Sequence, residues 1–230
     1  MLDGLLFDKD GTLFDFRVSW GQWAAGFLAS IASDDAHAGR LGLAIGYDAR
    51  TQSFAPDSPV IAATAADIAA ALVSEMPGQS VAALTDLIND TAGSAPMSEA
   101  VPLRPLLTLL RGRGLRLGVA TNDTEAPARQ HLAAHGITDL FDFVAGYDSG
   151  HGPKPGPGMC LAFAASQGLD PARVAMVGDS RHDLQAGRAA GMRTVAVLTG
   201  IAKSADLADL ADVILPDIGA LPDWLDQQSA

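Results

Sequence analysis

Two aspartates near the start of the chain, Asp8 and Asp10, have a spacing that suits chemistry. They follow a short apolar run, Leu5 to Phe7, and precede a glycine and a threonine. In an extended segment alternate side chains point to the same side, so Asp8 and Asp10 should share one face while Lys9 points away. Two adjacent carboxylates repel each other unless they share a cation, and Mg²⁺ prefers such oxygen ligands. The pair therefore indicates an acidic site for a hard divalent metal.

Three further groups of polar residues follow along the chain. Thr121 and Asn122 end an apolar run, Lys154 lies between two prolines, and Asp179 precedes Asp183 by four residues. In this order and at these separations, the four groups resemble the motifs of the haloacid dehalogenase-like superfamily, in its phosphoglycolate phosphatase-like branch. The resemblance spans about residues 5 to 200. It implies a Mg²⁺-dependent phosphatase with a Rossmann-like core.

The resemblance also implies a role for each acidic residue. Asp8 is the nucleophile that forms an aspartyl phosphate, and Asp10 is the general acid and base. Mg²⁺ is held by the carboxylates of Asp8 and Asp179 and by the main-chain carbonyl of Asp10. Asp183 either orients metal-bound water or Lys154, or simply occupies a first helical turn where an acidic residue is favoured.

The phosphate would be bound by the remaining residues of the motifs. Thr121 offers a hydroxyl donor, and the main-chain N–H of Asn122 adds another. Lys154 supplies a point charge against the phosphoryl group and the nucleophile, and its neighbouring prolines stiffen the loop. These three residues are the predicted phosphate-binding set.

Alternating apolar runs and helical patterns predict an α/β fold with a parallel sheet covered by helices on both faces. The predicted strands are Leu5–Phe7, Leu115–Ala120, Phe143–Ala145, Val174–Val177 and Thr194–Leu198. The predicted helices of this part lie near 102–112, 125–135, 157–168, 182–190 and 203–210. Asp123 or Thr124 should cap the second of them. Ligands of such sheets bind at the carboxyl ends of the strands, where the polar residues stand.

Residues 15 to about 95 differ from the rest, with helical patterns at 20–31, 60–75 and 81–89 and no convincing strand. The resemblance implies that residues 15–99 are a helical cap domain, inserted after the first strand of a core made of residues 1–14 and 100–230. The alternative is an ordinary helical segment of one compact domain. Trp20 and Trp23 should pack in the cap or its hinge. Arg17 either meets a second anionic group of the substrate or is solvated.

Composition limits the partners. The 230 residues carry a formal charge of −12, with 48% hydrophobic and 18% charged residues. So acidic a chain is a poor match for nucleic acid or an anionic membrane, and a small phosphorylated metabolite is the expected partner. The single cysteine, the acidic start and the absence of a long apolar stretch predict a cytoplasmic protein. The sequence does not identify the phosphate ester or the oligomeric state.

Other functions and another metal fit parts of the pattern. A phosphomutase shares every core residue and differs in the cap, and a phospho-accepting signalling module also combines acidic residues, Mg²⁺, Thr and Lys. A haloacid dehalogenase is disfavoured, because that reaction needs no carboxylate at the position of Asp10. Zinc is disfavoured because no histidine has ligand spacing with a cysteine. His131 and His135, four residues apart, are expected on an exposed helical face.

Overall fold

The computed structural model describes residues 2–228. Within them, the strands are β1 (Gly4–Phe7), β2 (Tyr47–Asp48), β3 (Ser53–Phe54), β4 (Arg116–Ala120), β5 (Phe143–Ala145), β6 (Val174–Gly178), β7 (Arg193–Val197) and β8 (Val213–Leu215). The α-helices are α1 (Phe16–Ile31), α2 (Asp35–Ala44), α3 (Ala65–Leu72), α4 (Val81–Ala92), α5 (Leu103–Gly112), α6 (Glu125–Ala134), α7 (Gly158–Gln167), α8 (Arg181–Ala189), α9 (Ser204–Leu207) and α10 (Leu221–Gln227).

Six of these strands form one parallel sheet in the order β5-β4-β1-β6-β7-β8. All four residues of the central strand β1 are buried, as expected for a strand that helices cover on both faces. Leu5 and Phe7 pack in one core cluster with apolar residues of α5, α6 and α10. Leu6 packs on the opposite face with residues of α7 and α8. This alternation confirms the predicted α/β fold.

The segment between β1 and α5 has a hydrophobic cluster of its own, built from α1 to α4 and the loops between them. The prediction that this segment contains no strand is wrong, because β2 and β3 form an antiparallel pair. Tyr47 and Phe54 lie opposite each other in that pair, with ring centroids 5.1 Å apart. Strands of two residues are too short to show alternation, so the sequence pattern does not predict them, and the Tyr47–Phe54 contact stabilises the pair.

Most predicted elements are present. The helices α2 and α10 are not predicted, and the other differences lie in one strand, two helices and one helix cap. The sequence pattern does not predict the edge strand β8, and α9 ends at Leu207 where the pattern extends to 210. The predicted helix over 60–75 is divided, because Thr64 and Asp67 form a capping box that starts α3. Thr124 occupies the N-cap of α6, but Asp148 Oδ1 accepts the Glu125 N–H at 2.9 Å.

Among residues 2–228, no helix is both long and apolar enough to cross a bilayer.

Candidate active site

Three adjacent strands deliver polar side chains to one edge of the sheet. Asp8 follows β1, Thr121 follows β4 and Asp179 follows β6, each one residue beyond the strand. Because β4, β1 and β6 are parallel neighbours, their carboxyl ends meet at this edge. The three side chains are buried. The structure therefore brings together residues that lie more than 50 positions apart in the sequence.

Lys154 reaches this edge from the loop between β5 and α7. Its Nζ donates to Asp8 Oδ1 and Asp183 Oδ1, both at 2.6 Å, and to the Ala120 carbonyl at 2.8 Å. Burial alone would lower the pKa of Lys154, but Asp183 and Asp8 outweigh burial and raise that pKa above its ordinary value. The buried ammonium is therefore a permanent positive charge that fixes the position of Asp8.

Asn122 holds the loop that carries Lys154. Its side-chain oxygen accepts the Lys154 main-chain N–H at 2.8 Å, and its Nδ2 donates to the Lys154 carbonyl at 2.9 Å. The same Nδ2 donates to the Ala62 carbonyl at 2.8 Å, which joins the loop to the segment between β1 and α5. The amide side chain is thus occupied, and only the main chain of Asn122 is left to offer a donor to a ligand.

Asp8, Asp179 and Asp183 form a cluster of carboxylates. One oxygen from each lies within 4.8 Å of the others, and all three residues are buried. Burial raises the pKa of Asp8 to about 7, against the attraction of Lys154. Burial, with the added repulsion of Asp183 and Asp8, raises the pKa of Asp179 well above its ordinary value. The cluster has more negative charge than one ammonium balances.

This donor set fits a hard divalent cation. Three buried carboxylates that offer oxygens within one small volume are the ligands Mg²⁺ takes, and a cation would supply the missing positive charge. Two glycines keep the space beside Asp179 free. A Cβ at Gly11 would lie 2.5 Å from Asp179 Oδ2, and a Cβ at Gly200 would overlap the same oxygen. The cluster contains no histidine or cysteine.

Asp183 is oriented by the start of α8. Its Oδ2 accepts the Ser180 main-chain N–H at 3.0 Å and the Ser180 hydroxyl at 2.7 Å, which completes a capping box. Its other oxygen receives the Lys154 ammonium. Asp183 therefore serves the start of α8 and also contacts Lys154.

Asp10 is held from two directions. The Trp20 indole Nε1 donates to Asp10 Oδ1 at 2.7 Å, and the Lys9 ammonium lies 2.8 Å from each carboxylate oxygen. The prediction that Lys9 points away is therefore wrong. Alternation ends with β1 at Phe7, and the chain then turns so that the Lys9 carbonyl accepts main-chain N–H groups from Leu13 and Phe14.

Lys9 is the centre of a buried polar network that the sequence did not reveal. Its Nζ lies 3.2 Å from His131 Nδ1 and 3.4 Å from Asp123 Oδ2. Burial alone would lower the pKa of Lys9, but Asp10 and Asp123 raise it above the ordinary value. Burial and the Lys9 charge lower the pKa of His131 to about 4, so the ring is neutral near pH 7. His131 is only 2% exposed, which corrects the expectation of an exposed helical face.

A cavity opens at the carboxyl edge of the sheet and reaches into the segment between β1 and α5. It encloses about 610 Å³, part of it open to solvent. Its polar wall contains Asp8, Asp10, Thr121, Lys154 and Asp183, together with Asn122, Asp123, Ser180 and His182. Asp179 does not line it. Eleven apolar residues form the other wall: Phe16, Trp20, Trp23, Val60, Ile61, Ala62, Ala63, Ala65, Ile68, Ile88 and Ala92.

Trp20 and Trp23 differ from Arg17 in their burial. Trp20 and Trp23 are buried and stack edge to face with centroids 5.1 Å apart, as expected for packing within the inserted segment. Arg17 is exposed and does not line the cavity, so of its two expected roles the structure shows the solvated one.

Residues 62–197 match the haloacid dehalogenase-like hydrolase family. The match includes Lys154 and Asp179 and begins after Asp8 and Asp10. The assignment of Asp8 and Asp10 to the candidate site therefore rests on the sequence motif and on their positions in the structure.

Two curated relatives are phosphatases by name. The protein named Probable phosphatase IndB, from Dickeya dadantii, is 40% identical over 119 residues, 50% of this chain and 52% of the relative. A phosphoglycolate phosphatase of Rhodospirillum rubrum is 38% identical over 122 residues, 52% of this chain and 50% of the relative. The chain spans about half the length of the curated relatives it matches.

Solved structures extend the likeness to the whole fold. CbbY from Rhodobacter sphaeroides, in complex with phosphate, superposes with a TM-score of 0.74 over 96% of both chains at 18% sequence identity. That identity supports the fold alone, whereas the family match covers more than half of the chain. The sheet order and the aspartates at the strand ends agree with this match. The chain therefore belongs to the haloacid dehalogenase-like hydrolase family.

Proposed function

We propose that the protein is a Mg²⁺-dependent phosphatase that hydrolyses a small phosphorylated metabolite through an aspartyl-phosphate intermediate. The observation that carries the proposal is the contact of the Lys154 ammonium with Asp8 and Asp183, beside Asp179, at the polar wall of the cavity. Phosphoglycolate is the reference ester for this activity, because several curated relatives are named for it.

The first chemical step is assigned to Asp8. Its free carboxylate oxygen attacks the phosphorus, a new P–O bond forms, and the bond to the leaving alkoxide breaks. The Lys154 ammonium donates a hydrogen bond to Asp8 Oδ1, so the other carboxylate oxygen of Asp8 is available to attack. Asp10, which also lines the cavity, donates a proton to the alkoxide.

The second step returns the enzyme to its starting state. Asp10, now a carboxylate, takes a proton from water while the water oxygen bonds to phosphorus and the bond to Asp8 breaks. The products are inorganic phosphate and free Asp8. Trp20 and Lys9 hold the Asp10 carboxylate during this exchange, since both contact it directly.

Mg²⁺ would be held by Asp8 and Asp179, with the main-chain carbonyl of Asp10, and Asp183 would orient its surroundings. When bound, the cation supplies positive charge that offsets the repulsion between the nucleophile and the phosphate. The Lys154 ammonium, the Thr121 hydroxyl and the main-chain N–H of Asn122 are the proposed partners of the phosphoryl oxygens.

We also propose that residues 15–99 are a cap over a core made of residues 1–14 and 100–230. The separate hydrophobic cluster of this segment supports the division. Its contribution of the whole apolar wall of the cavity supports a role in enclosing the substrate.

Two alternatives make different predictions. A phosphomutase would have to bind a sugar, yet the side chains of the wall contributed by residues 16–92 offer a ligand's hydroxyl groups one unpaired donor, the Trp23 indole N–H, because the Trp20 N–H already donates to Asp10. A phospho-accepting signalling module would form a stable aspartyl phosphate with negligible turnover. The phosphatase function is therefore the one that the cavity favours.

The test measures turnover and the covalent intermediate together. Phosphoglycolate and p-nitrophenyl phosphate should be hydrolysed in Mg²⁺, and EDTA should abolish this activity. Borohydride added during turnover should reduce the aspartyl phosphate to homoserine, which peptide mass spectrometry should locate at position 8.

The matched variants are Asp8→Asn and Asp86→Asn. Asp86 is an exposed carboxylate on α4 that does not line the cavity, so its change should leave activity intact. Asp8→Asn should abolish both turnover and trapping. Homoserine at any other aspartate, or full turnover in EDTA after metal stripping, would contradict the proposal.

A further inference from the structure

The two walls of the cavity differ in polarity, and different parts of the chain contribute them. Every lining residue contributed by the segment from 16 to 92 is apolar, whereas every lining residue contributed by the rest of the chain is polar or charged. A phosphate placed against Asp8 and Lys154 would therefore extend its alcohol portion toward the apolar wall.

The apolar wall has no positive charge. Residues 15–99 contain three basic residues besides histidine, namely Arg17, Arg40 and Arg50, and none of them lines the cavity. Arg17 and Arg50 are exposed, and Arg40 pairs with Glu75 at 3.0 Å. His37 is turned to the Glu75 carbonyl at 2.8 Å.

The two basic residues that do line the cavity belong to its polar wall. They are Lys154 and His182. The Lys154 ammonium is already shared between Asp8 and Asp183. A carboxylate on the leaving group that reached the apolar wall would enter a region without a partner ion, in a cavity that several aspartates also line, and both conditions oppose its binding.

The apolar wall has a more accessible part and a buried part. The half-buried residues Ile61, Ala62 and Ala63 form the more accessible part of the apolar wall, and Phe16 and Trp20 form a buried part. Such a surface gains most from burying carbon atoms.

We propose that the substrate is a phosphate monoester of an uncharged, largely apolar alcohol, and that phosphoglycolate is a poor substrate of this chain. The inference rests on the proposed phosphatase function and refines it. Sugar phosphates are disfavoured for a related reason, because the side chains of this wall offer their several hydroxyl groups one unpaired donor, the Trp23 indole N–H, and the remaining hydroxyl groups would lose water without gaining a partner there.

A matched pair of esters tests the inference. Propyl phosphate and phosphoglycolate have nearly the same size, but only the second carries a carboxylate, and benzyl phosphate adds apolar area. We expect kcat/KM to rise from phosphoglycolate to propyl to benzyl phosphate, with the extremes about 10- to 200-fold apart, as for small differences in an apolar pocket. A kcat/KM for phosphoglycolate equal to or above that for propyl phosphate overturns the inference.

A substitution in the apolar wall tests whether this wall sets the preference. Ile61→Arg places a cation beside the leaving group, and Leu43→Arg makes the same change at a residue that is 80% exposed and lies outside the cavity. Ile61→Arg should lower the benzyl-to-phosphoglycolate ratio at least tenfold, whereas Leu43→Arg should leave it unchanged. Equal ratios in the two variants overturn the role assigned to the wall.

Binding of phosphonates separates this inference from the proposed function. Benzylphosphonate and phosphonoacetate are not hydrolysed, so calorimetry with the unmodified protein in Mg²⁺ ranks them without any turnover. Tighter binding of benzylphosphonate supports the inference, and tighter binding of phosphonoacetate overturns it. If no ester is hydrolysed, the proposed phosphatase function fails, and the phosphonate ranking still decides which ligand class the cavity takes.

Discussion

Replacement of Lys9 by methionine should destabilise the fold strongly. Methionine keeps the unbranched shape of the side chain, one atom shorter, and removes the ammonium, which lies 2.8 Å from both Asp10 oxygens and 3.4 Å from Asp123. Lys9 is fully buried, so neither carboxylate regains full solvation when the ammonium is lost. Removing one partner of a buried ion pair costs about 3–5 kcal/mol in the free energy of unfolding.

The measurement is urea unfolding at pH 7, followed by tryptophan fluorescence. In thermal unfolding of a chain of this size, the same loss corresponds to a fall in Tm of about 6–20 °C, at roughly 2–4 °C per kcal/mol. Lys203→Met is the matched control, because Lys203 is exposed, and it should change the free energy of unfolding by no more than about 0.5 kcal/mol.

A double variant tests whether the loss arises from unpaired carboxylates. Lys9→Met with Asp123→Asn removes the ammonium and one of the two charges it faces. The double variant should therefore be more stable than the sum of the single losses predicts, by about 0.5–3 kcal/mol. A loss below about 1 kcal/mol for Lys9→Met alone, or strict additivity in the double variant, would refute the reasoning.

Three further predictions concern the site. Asp10→Asn should slow turnover by about 10²–10⁴-fold while homoserine trapping still locates phosphate on Asp8, and trapping elsewhere would contradict this. Gly200→Ala should displace the Asp179 carboxylate, which the new Cβ would overlap, and should reduce Mg²⁺-supported turnover about 100-fold; Gly39→Ala, whose Cβ meets open space, should not. Because the pKa of His131 is lowered to about 4, its imidazole stays neutral in the folded protein at pH values where the unfolded chain is already protonated. The free energy of unfolding should therefore decrease by about 1.4 kcal/mol per unit as the pH falls from 6.5 to 4. In urea unfolding, His131→Gln should show a weaker pH dependence of the free energy of unfolding than the wild type. An unchanged dependence would refute its assignment to His131.

The positions of the strand-end residues were predictable from short-range pattern. Apolar runs that stop at Asp8, Thr121 and Asp179 predict strands, and the parallel arrangement brings their ends to one edge. This reasoning needs no knowledge of the loops. The position of Lys154 needed the resemblance as well, since a lysine between prolines gives no sign that its ammonium is buried against two carboxylates.

The surroundings of Asp10 were not predictable in this way. Lys9 meets His131, which lies 122 positions away, and Trp20 reaches Asp10 from the inserted segment. Such contacts depend on how whole elements pack, which local periodicity does not encode. The alternation argument also failed at Lys9 because it assumed an extended chain beyond Phe7, where the strand has already ended.

The Trp20 contact with Asp10 has a consequence for protein engineering. Exchanging the inserted segment between relatives is an obvious way to transfer substrate preference. In this protein the segment supplies a hydrogen bond to Asp10 itself, at 2.7 Å, and the Ala62 carbonyl that Asn122 contacts. A chimera that lacks an indole donor at this position would inherit a new pocket together with a loosely held Asp10, the proposed acid–base residue, so its gain in selectivity would come with a loss in turnover.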